Sequence, residues 1–179
     1  MLEEARAFAL AAHGDQRYGS RPYVVHLDAV AELLAPYGNE AQVIAYLHDV
    51  VEDTAVTEGE VRARFGAPIA DCVALLTDAP GATRAERKAA TYSRLARVNG
   101  EGELALLVKV ADRLANVRAC QRDDGQHARR LREVYRDEYP AFRQAAYRPG
   151  LCEPFWAELD RLLAGAGSTP DAPASRAPA

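Results

Sequence analysis

The chain has 179 residues, of which 49% are apolar and 27% charged, with a formal net charge of −4. That balance suits one globular domain with a full core, and the acidic excess argues against a nucleic-acid binder, which would carry a basic footprint. No apolar run approaches the roughly 18 residues that a membrane helix needs. The three cysteines, Cys72, Cys120 and Cys152, are far apart and form no C-x-x-C pair. Neither a disulfide framework nor a zinc knuckle is therefore expected, and a reducing cytosol fits. The start, Met1-Leu2-Glu3-Glu4-Ala5, is acidic where a secretory signal would be basic, which makes the cytoplasm the expected location.

Taken in order, the periodicity is helical nearly throughout. Residues 2–13 predict an amphipathic helix through Leu2, Ala5, Phe8, Ala9 and Ala12. Residues 14–23 read as a loop carrying Gly19 and Pro22. A helix from His26 to Tyr37 follows, with Leu27, Val30, Ala31 and Leu34 on one face and Gly38 as its stop. Residues 40–52 predict one helix that is apolar over much of its circumference, and so central. Thr57 with Glu60 three residues on is a capping-box signal for a short helix ending at Phe65. Pro68 opens another helix that runs to Leu76. Residues 83–98 read as a charged helix; Gly100 and Gly102 interrupt, and residues 103–119 predict a second core helix. Three more are expected over 126–138, 140–147 and 153–164, punctuated by Pro140, Pro149 and Pro154. No segment alternates as a strand should. The expected architecture is all-α: a single domain over residues 1–165, followed by an Ala/Pro-rich disordered tail over 166–179.

The chemistry concentrates in His48-Asp49-Val50-Val51-Glu52-Asp53-Thr54. Here a histidine beside an aspartate is followed, four residues after each, by another carboxylate. Ile44, Ala45, Leu47, Val50 and Val51 surround the pair with core-forming side chains. Such groups are tolerated where opposite charge compensates them, and a divalent cation does so best. Adjacent helical residues point about 100° apart, so other elements must supply further ligands. His26 upstream and Asp112 downstream are the natural partners. Two imidazoles and two carboxylates suit Mn²⁺, Fe²⁺ or Zn²⁺. Taken singly, His48 also fits a satisfied core histidine, Asp112 half of a salt bridge with Arg113 or Arg118, and Glu52-Asp53 a solvated helix end. Lys109, Asp112 and Asn116 stand at i, i+3 and i+7 and can share one helix face. Lys109 can neutralise phosphate and Asn116 can bond a ribose or base. The cluster of Arg84, Arg87 and Lys88 reads more readily as a solvated face than as a phosphate clamp.

Several motifs now stand in one order: Ala11-Ala12-His13, Gln16-Arg17, Pro22-Tyr23-x-x-His26, Leu47-His48-Asp49-x-Val51-Glu52-Asp53-Thr54 and Ala111-Asp112-Arg113-Leu114-x-Asn116. Together they resemble the HD-domain phosphohydrolases, and more narrowly the hydrolase domain of the RelA/SpoT stringent-response proteins and their small stand-alone relatives. The resemblance runs from about Ala11 to Asn116. It implies a helical bundle of the HD type, metal ligands at His26, His48, Asp49 and Asp112 that hold Mn²⁺, and a catalytic acidic pair, Glu52 and Asp53. The substrate it implies is a small phosphorylated nucleotide, guanosine tetra- or pentaphosphate (ppGpp or pppGpp), which loses pyrophosphate from its 3′ position. Lys88 and Asn116 fall where that family contacts substrate.

One loop departs from the family. Its members carry an Arg-Lys pair in a loop one residue longer, where this chain reads Gln16-Arg17-Tyr18-Gly19-Ser20-Arg21-Pro22. Arg17 can keep the cationic stacking role and Tyr18 can supply an aromatic platform. Leu27 follows His26 where proline is usual. The chemistry therefore carries over more fully than the substrate, and a phosphatase acting on the 2′-phosphate of NADPH or on another nucleotide is the alternative enzyme. A nucleotide-sensing module without turnover is the alternative from another class. The full ligand set beside Glu52-Asp53 argues for the enzyme.

Overall fold

The computed structural model describes residues 1–163, so the tail expected over 166–179 lies outside the described residues. The helices are α1 (Leu2–His13), α2 (Val24–Leu34), α3 (Asn39–Leu47), α4 (Val50–Asp53), α5 (Glu58–Phe65), α6 (Ala67–Leu76), α7 (Arg84–Leu95), α8 (Glu103–Gln121), α9 (Gln126–Ala146) and α10 (Glu153–Leu163). Short 3₁₀ turns at Ala35–Tyr37 and Gly100–Gly102 link α2 to α3 and lead into α8. The all-α expectation holds.

Local chemistry explains most of the boundaries. Thr57 accepts from the Glu60 amide while the Glu60 carboxylate accepts from the Thr57 amide, and Thr83 with Glu86 does the same for α7. Each pair satisfies two amides that the first helical turn leaves open. Proline enters α6 in its first turn, where its missing N–H is no loss. The core is built on α3 and α8. Helix α3 packs on α1, α2, α6 and α8, while α8 also meets α9 and α10. Residues Ala105 to Ala111 of α8 are all buried, the lysine among them included. Helix α9 closes one flank by laying Tyr139, Phe142 and Ala146 against Trp156 and the bundle.

Three expectations about elements fail, each for a physical reason. The helix over 40–52 is broken: α3 ends at Leu47, His48 and Asp49 form a turn, and α4 starts at Val50. His48 Nδ1 donates to the Ala45 carbonyl at 2.6 Å, the acceptor that a continuous helix would give to the Asp49 amide. The two helices expected on either side of Pro140 are one, α9, with proline inside it. Packing of Tyr139 and Phe142 on either side carries the chain across the missing hydrogen bond. Residues 17–22 are also not a plain loop. Arg17–Tyr18 pairs with Arg21–Pro22 as a two-residue antiparallel ladder, with Arg17 opposite Pro22 and Tyr18 opposite Arg21. Gly19 supplies the positive φ (60°) that a two-residue hairpin turn needs at its first central position.

Candidate metal centre

Side chains from three places in the fold approach one another. His26 comes from the first turn of α2, His48 and Asp49 from the break between α3 and α4, and Asp112 from the middle of α8. The two Nε2 atoms of His26 and His48 face each other at 3.4 Å. Asp49 Oδ2 lies 2.9 Å from His48 Nε2 and 3.8 Å from His26 Nε2; Asp112 Oδ1 lies 3.3 Å from His26 Nε2 and 3.7 Å from His48 Nε2. Both imidazoles are buried, 3% and 1% exposed. Neither arginine proposed as a salt-bridge partner of Asp112 takes that role: Arg113 meets Glu138 at 3.0 Å and Arg118 meets Glu158 at 2.6 Å.

The donor set fits a divalent cation. Because His48 Nδ1 carries the proton given to Ala45, Nε2 is the ring atom that would offer its lone pair to a cation once its own proton is displaced. A cation bound at about 2.1 Å in a tetrahedral shell sets its donors about 3.4 Å apart, and the donor atoms of His26, His48 and Asp49 all lie within 4.8 Å of one another. Ring nitrogens and carboxylate oxygens turned on one another in a buried space repel unless positive charge joins them. Burial opposes charge on His48, but Asp49 and Asp112 outweigh it and hold the imidazole well above the ordinary histidine value. Burial likewise raises Asp49 and Asp112, yet the imidazoles beside them take both below the usual carboxylate range, helped at Asp112 by the Lys109 charge.

Around the four lie two carboxylates with different supports. The Tyr23 hydroxyl donates to Asp49 Oδ2 at 2.6 Å and reaches Asp53 Oδ2 at 3.1 Å, tying α4 to the ligand. Burial, with Asp49 and Asp53 close by, pushes this phenol far up, so it stays a donor. The ring of His13 stacks on Tyr23 at 4.3 Å, and His13 Nδ1 lies 2.7 Å from Gln16 Oε1. Glu52 has a separate support: its Oε2 accepts from the Asp78 amide at 2.8 Å. Burial raises the Glu52 carboxyl, with the Asp78 amide acting in opposition.

Most of the expected substrate residues are already engaged within the chain. Lys109 is buried and donates to the Leu76 carbonyl at 2.9 Å. Lys88 pairs with Asp78 at 2.7 Å, and burial together with Lys109 lowers its affinity for a proton. Both lysines thus secure the α6–α7 loop that meets Glu52. Asn116 donates to Asp112 Oδ1 at 2.6 Å and accepts from the Tyr18 hydroxyl at 2.8 Å. Arg17 is exposed and folds onto the Ser20 carbonyl of its own turn. Of the neighbouring basic cluster, Arg84 binds Glu138. Arg17, Tyr18, Asn116, His127 and Tyr135 line a cavity of about 680 Å³ beside the centre.

Sequence reasoning missed Tyr23 and Asp78. Tyr23 had a signal, since Pro22-Tyr23-x-x-His26 puts it one turn before a ligand. Asp78 had none, because its contacts cross from one loop to another element.

A model of the HD domain matches residues 5–145. The chain belongs to the HD-domain family. Among the relatives of this HD domain, a Synechocystis sp. protein named probable guanosine-3′,5′-bis(diphosphate) 3′-pyrophosphohydrolase is 33% identical over 168 residues, 90% of this chain and 22% of that protein. The chain thus spans about a fifth of that relative's length. A Danio rerio protein, guanosine-3′,5′-bis(diphosphate) 3′-pyrophosphohydrolase MESH1, is 35% identical over 144 residues, 75% of this chain and 78% of its own length. The solved structure of a metazoan ortholog of SpoT, described as hydrolysing ppGpp and acting in starvation responses, superposes with a TM-score of 0.70 at 25% identity. That match covers 89% of this chain and 93% of the other. No described helix is long and apolar enough to cross a membrane.

Proposed function

We propose that this HD domain is a cytoplasmic, Mn²⁺-dependent phosphohydrolase that removes pyrophosphate from the 3′ position of guanosine tetra- or pentaphosphate. The observation that carries the reading is the convergence of His26, His48, Asp49 and Asp112 on one point, with Asp53 tied to Asp49 through Tyr23. The names of the Danio rerio and Synechocystis relatives support the substrate. A sensor without turnover has no use for a second carboxylate pair beside the ligands.

His26, His48, Asp49 and Asp112 would hold the ion. When bound, it supplies Lewis acidity toward phosphoryl oxygens and makes a nearby water easier to deprotonate. Glu52 and Asp53 position the attacking water and take its proton on a carboxylate oxygen. The water oxygen bonds to phosphorus, the bond from that phosphorus to the 3′ oxygen breaks, and the 3′ oxygen takes up a proton. Lys88, Lys109 and Arg17 offset the charge of the polyanion. Tyr18 and Asn116 border the nucleoside side.

The test restores metal-stripped protein with Mn²⁺ and follows release from guanosine tetraphosphate, NADPH and ordinary nucleotides. Pyrophosphate from the tetraphosphate is the expected product. Phosphate from NADPH alone would transfer the site to the alternative substrate, and absence of any turnover would overturn the enzyme reading.

A further inference from the structure

Tyr18 stands where the hairpin meets the ligands, and it touches both sides of the centre. Its ring lies nearly parallel to that of His26, 4.8 Å between centroids and 20° between planes. Its hydroxyl donates to Asn116 Oδ1 at 2.8 Å, and Asn116 Nδ2 donates to Asp112 Oδ1 at 2.6 Å. Tyr23, the other tyrosine flanking the hairpin, meets Tyr18 edge-on at 6.2 Å. The turn at Gly19-Ser20 sets Tyr18 opposite Arg21 and so points one side chain at two ligands that are 86 residues apart in the sequence.

The direction of this relay is not arbitrary. A ligating carboxylate has no proton to give, so Asp112 requires the amide nitrogen of Asn116. The amide oxygen is then turned away from Asp112 and requires a donor, which the Tyr18 hydroxyl supplies. Without that hydroxyl the amide loses the partner that holds it edge-on to Asp112, and Asp112 gains freedom to rotate away from the imidazoles. Partners of this kind fix the orientation of metal ligands, and their loss typically weakens binding about 10–100-fold.

Resting on the metal-hydrolase reading above, we propose that Tyr18 is a positioning residue: it orients Asp112 through Asn116 while its ring braces His26. This gives the residue that departs from the family's loop pattern a place in the centre itself, beyond its position on the wall of the adjoining cavity.

Calorimetric titration of the metal-free full chain with Mn²⁺ tests it without any turnover. Tyr18→Phe keeps the ring on His26 and removes only the hydroxyl, so the protein is expected to fold and to bind Mn²⁺ about tenfold more weakly or worse. Asn116→Ala should weaken binding to a similar degree. The double variant should bind no more weakly than Asn116→Ala alone, because both changes break one chain of bonds. Tyr18→Leu, which also removes the stacked ring, should fall below Tyr18→Phe. Wild-type affinity in Tyr18→Phe, or losses that multiply in the double variant, would overturn the relay while leaving the metal centre standing. A wild-type chain that binds no Mn²⁺ would overturn the centre and the relay together.

Discussion

His48 divides its two ring nitrogens between fold and chemistry. Nδ1 takes the Ala45 carbonyl and so ends α3, and that same bond leaves Nε2 as the free donor atom of the centre. The residue that breaks the helix is thus the residue that needs the break. Tyr23 has a similar double attachment, to Asp49 and Asp53, and Tyr23→Phe removes it at little cost in packing. We expect turnover of that variant to fall about tenfold or more with KM little changed. Unchanged turnover would reduce Tyr23 to a packing role. Asp49→Ala and Asp112→Ala should lose both metal retention and activity, as measured by metal analysis after dialysis. Glu52→Ala should retain the metal, because the Glu52 carboxylate is bonded to the Asp78 amide, and should lose the turnover assigned to that carboxylate. A Glu52→Ala variant with near-wild-type rate would remove that carboxylate from the mechanism.

At the scale of elements, α8 links the centre to the rest of the bundle. One residue after Asp112 its chain turns Arg113 inward, where the guanidinium donates to Glu138 of α9 at 3.0 Å and to the Tyr92 hydroxyl of α7 at 2.9 Å. The same group lies over the rings of Tyr135 and Phe142, at 4.7 and 4.9 Å. Arg113 is 5% exposed, and its truncation would leave the Tyr92 hydroxyl and the two ring faces without their cation, while Glu138 keeps the Arg84 guanidinium at 2.7 Å. Arg113→Ala is expected to destabilise the fold by about 1–3 kcal/mol, read from the midpoint of urea unfolding. A loss within about 0.5 kcal/mol, the range of ordinary surface changes, would show that Arg84 alone satisfies Glu138 and that the Tyr92 hydroxyl finds water. The cap of α5 was legible from Thr57-x-x-Glu60 because a capping box is local chemistry, and Thr83-x-x-Glu86 caps α7 in the same way. The continuous α9 was not legible at Pro140, since what holds it is contact with Trp156 on another helix.

For the whole molecule, the centre couples metal, protons and stability. His48 is raised above 6.5, so without metal its contribution to folding is full below that value and is lost as pH rises through the folded-state value. Asp49 and Asp112 are lowered from 3.8, so their contribution is present above that value and is lost as pH falls through their folded-state values. The metal-free cluster therefore stabilises the fold most between about pH 4 and 6.5. Binding a cation displaces the proton from His48, so apparent affinity should climb with pH across neutrality. We expect Mn²⁺ to raise Tm more at pH 8 than at pH 6, by differential scanning calorimetry at fixed metal concentration. A shift independent of pH would mean that His48 binds no displaceable proton. The sequence by itself determined the all-α class and most of the helix boundaries, and it named His26, His48, Asp49 and Asp112, which the fold brings near one another, because apolar period, caps and charges placed beside core residues are written locally. Only the tertiary structure decided that His48 and Asp49 sit on a helix break, that the loop at Gly19 is a hairpin, and that Lys88, Lys109 and Asn116 are bonded within the chain. Each of those outcomes turns on a partner many residues away or on the competition of a side chain for a backbone carbonyl, and neither is visible in periodicity.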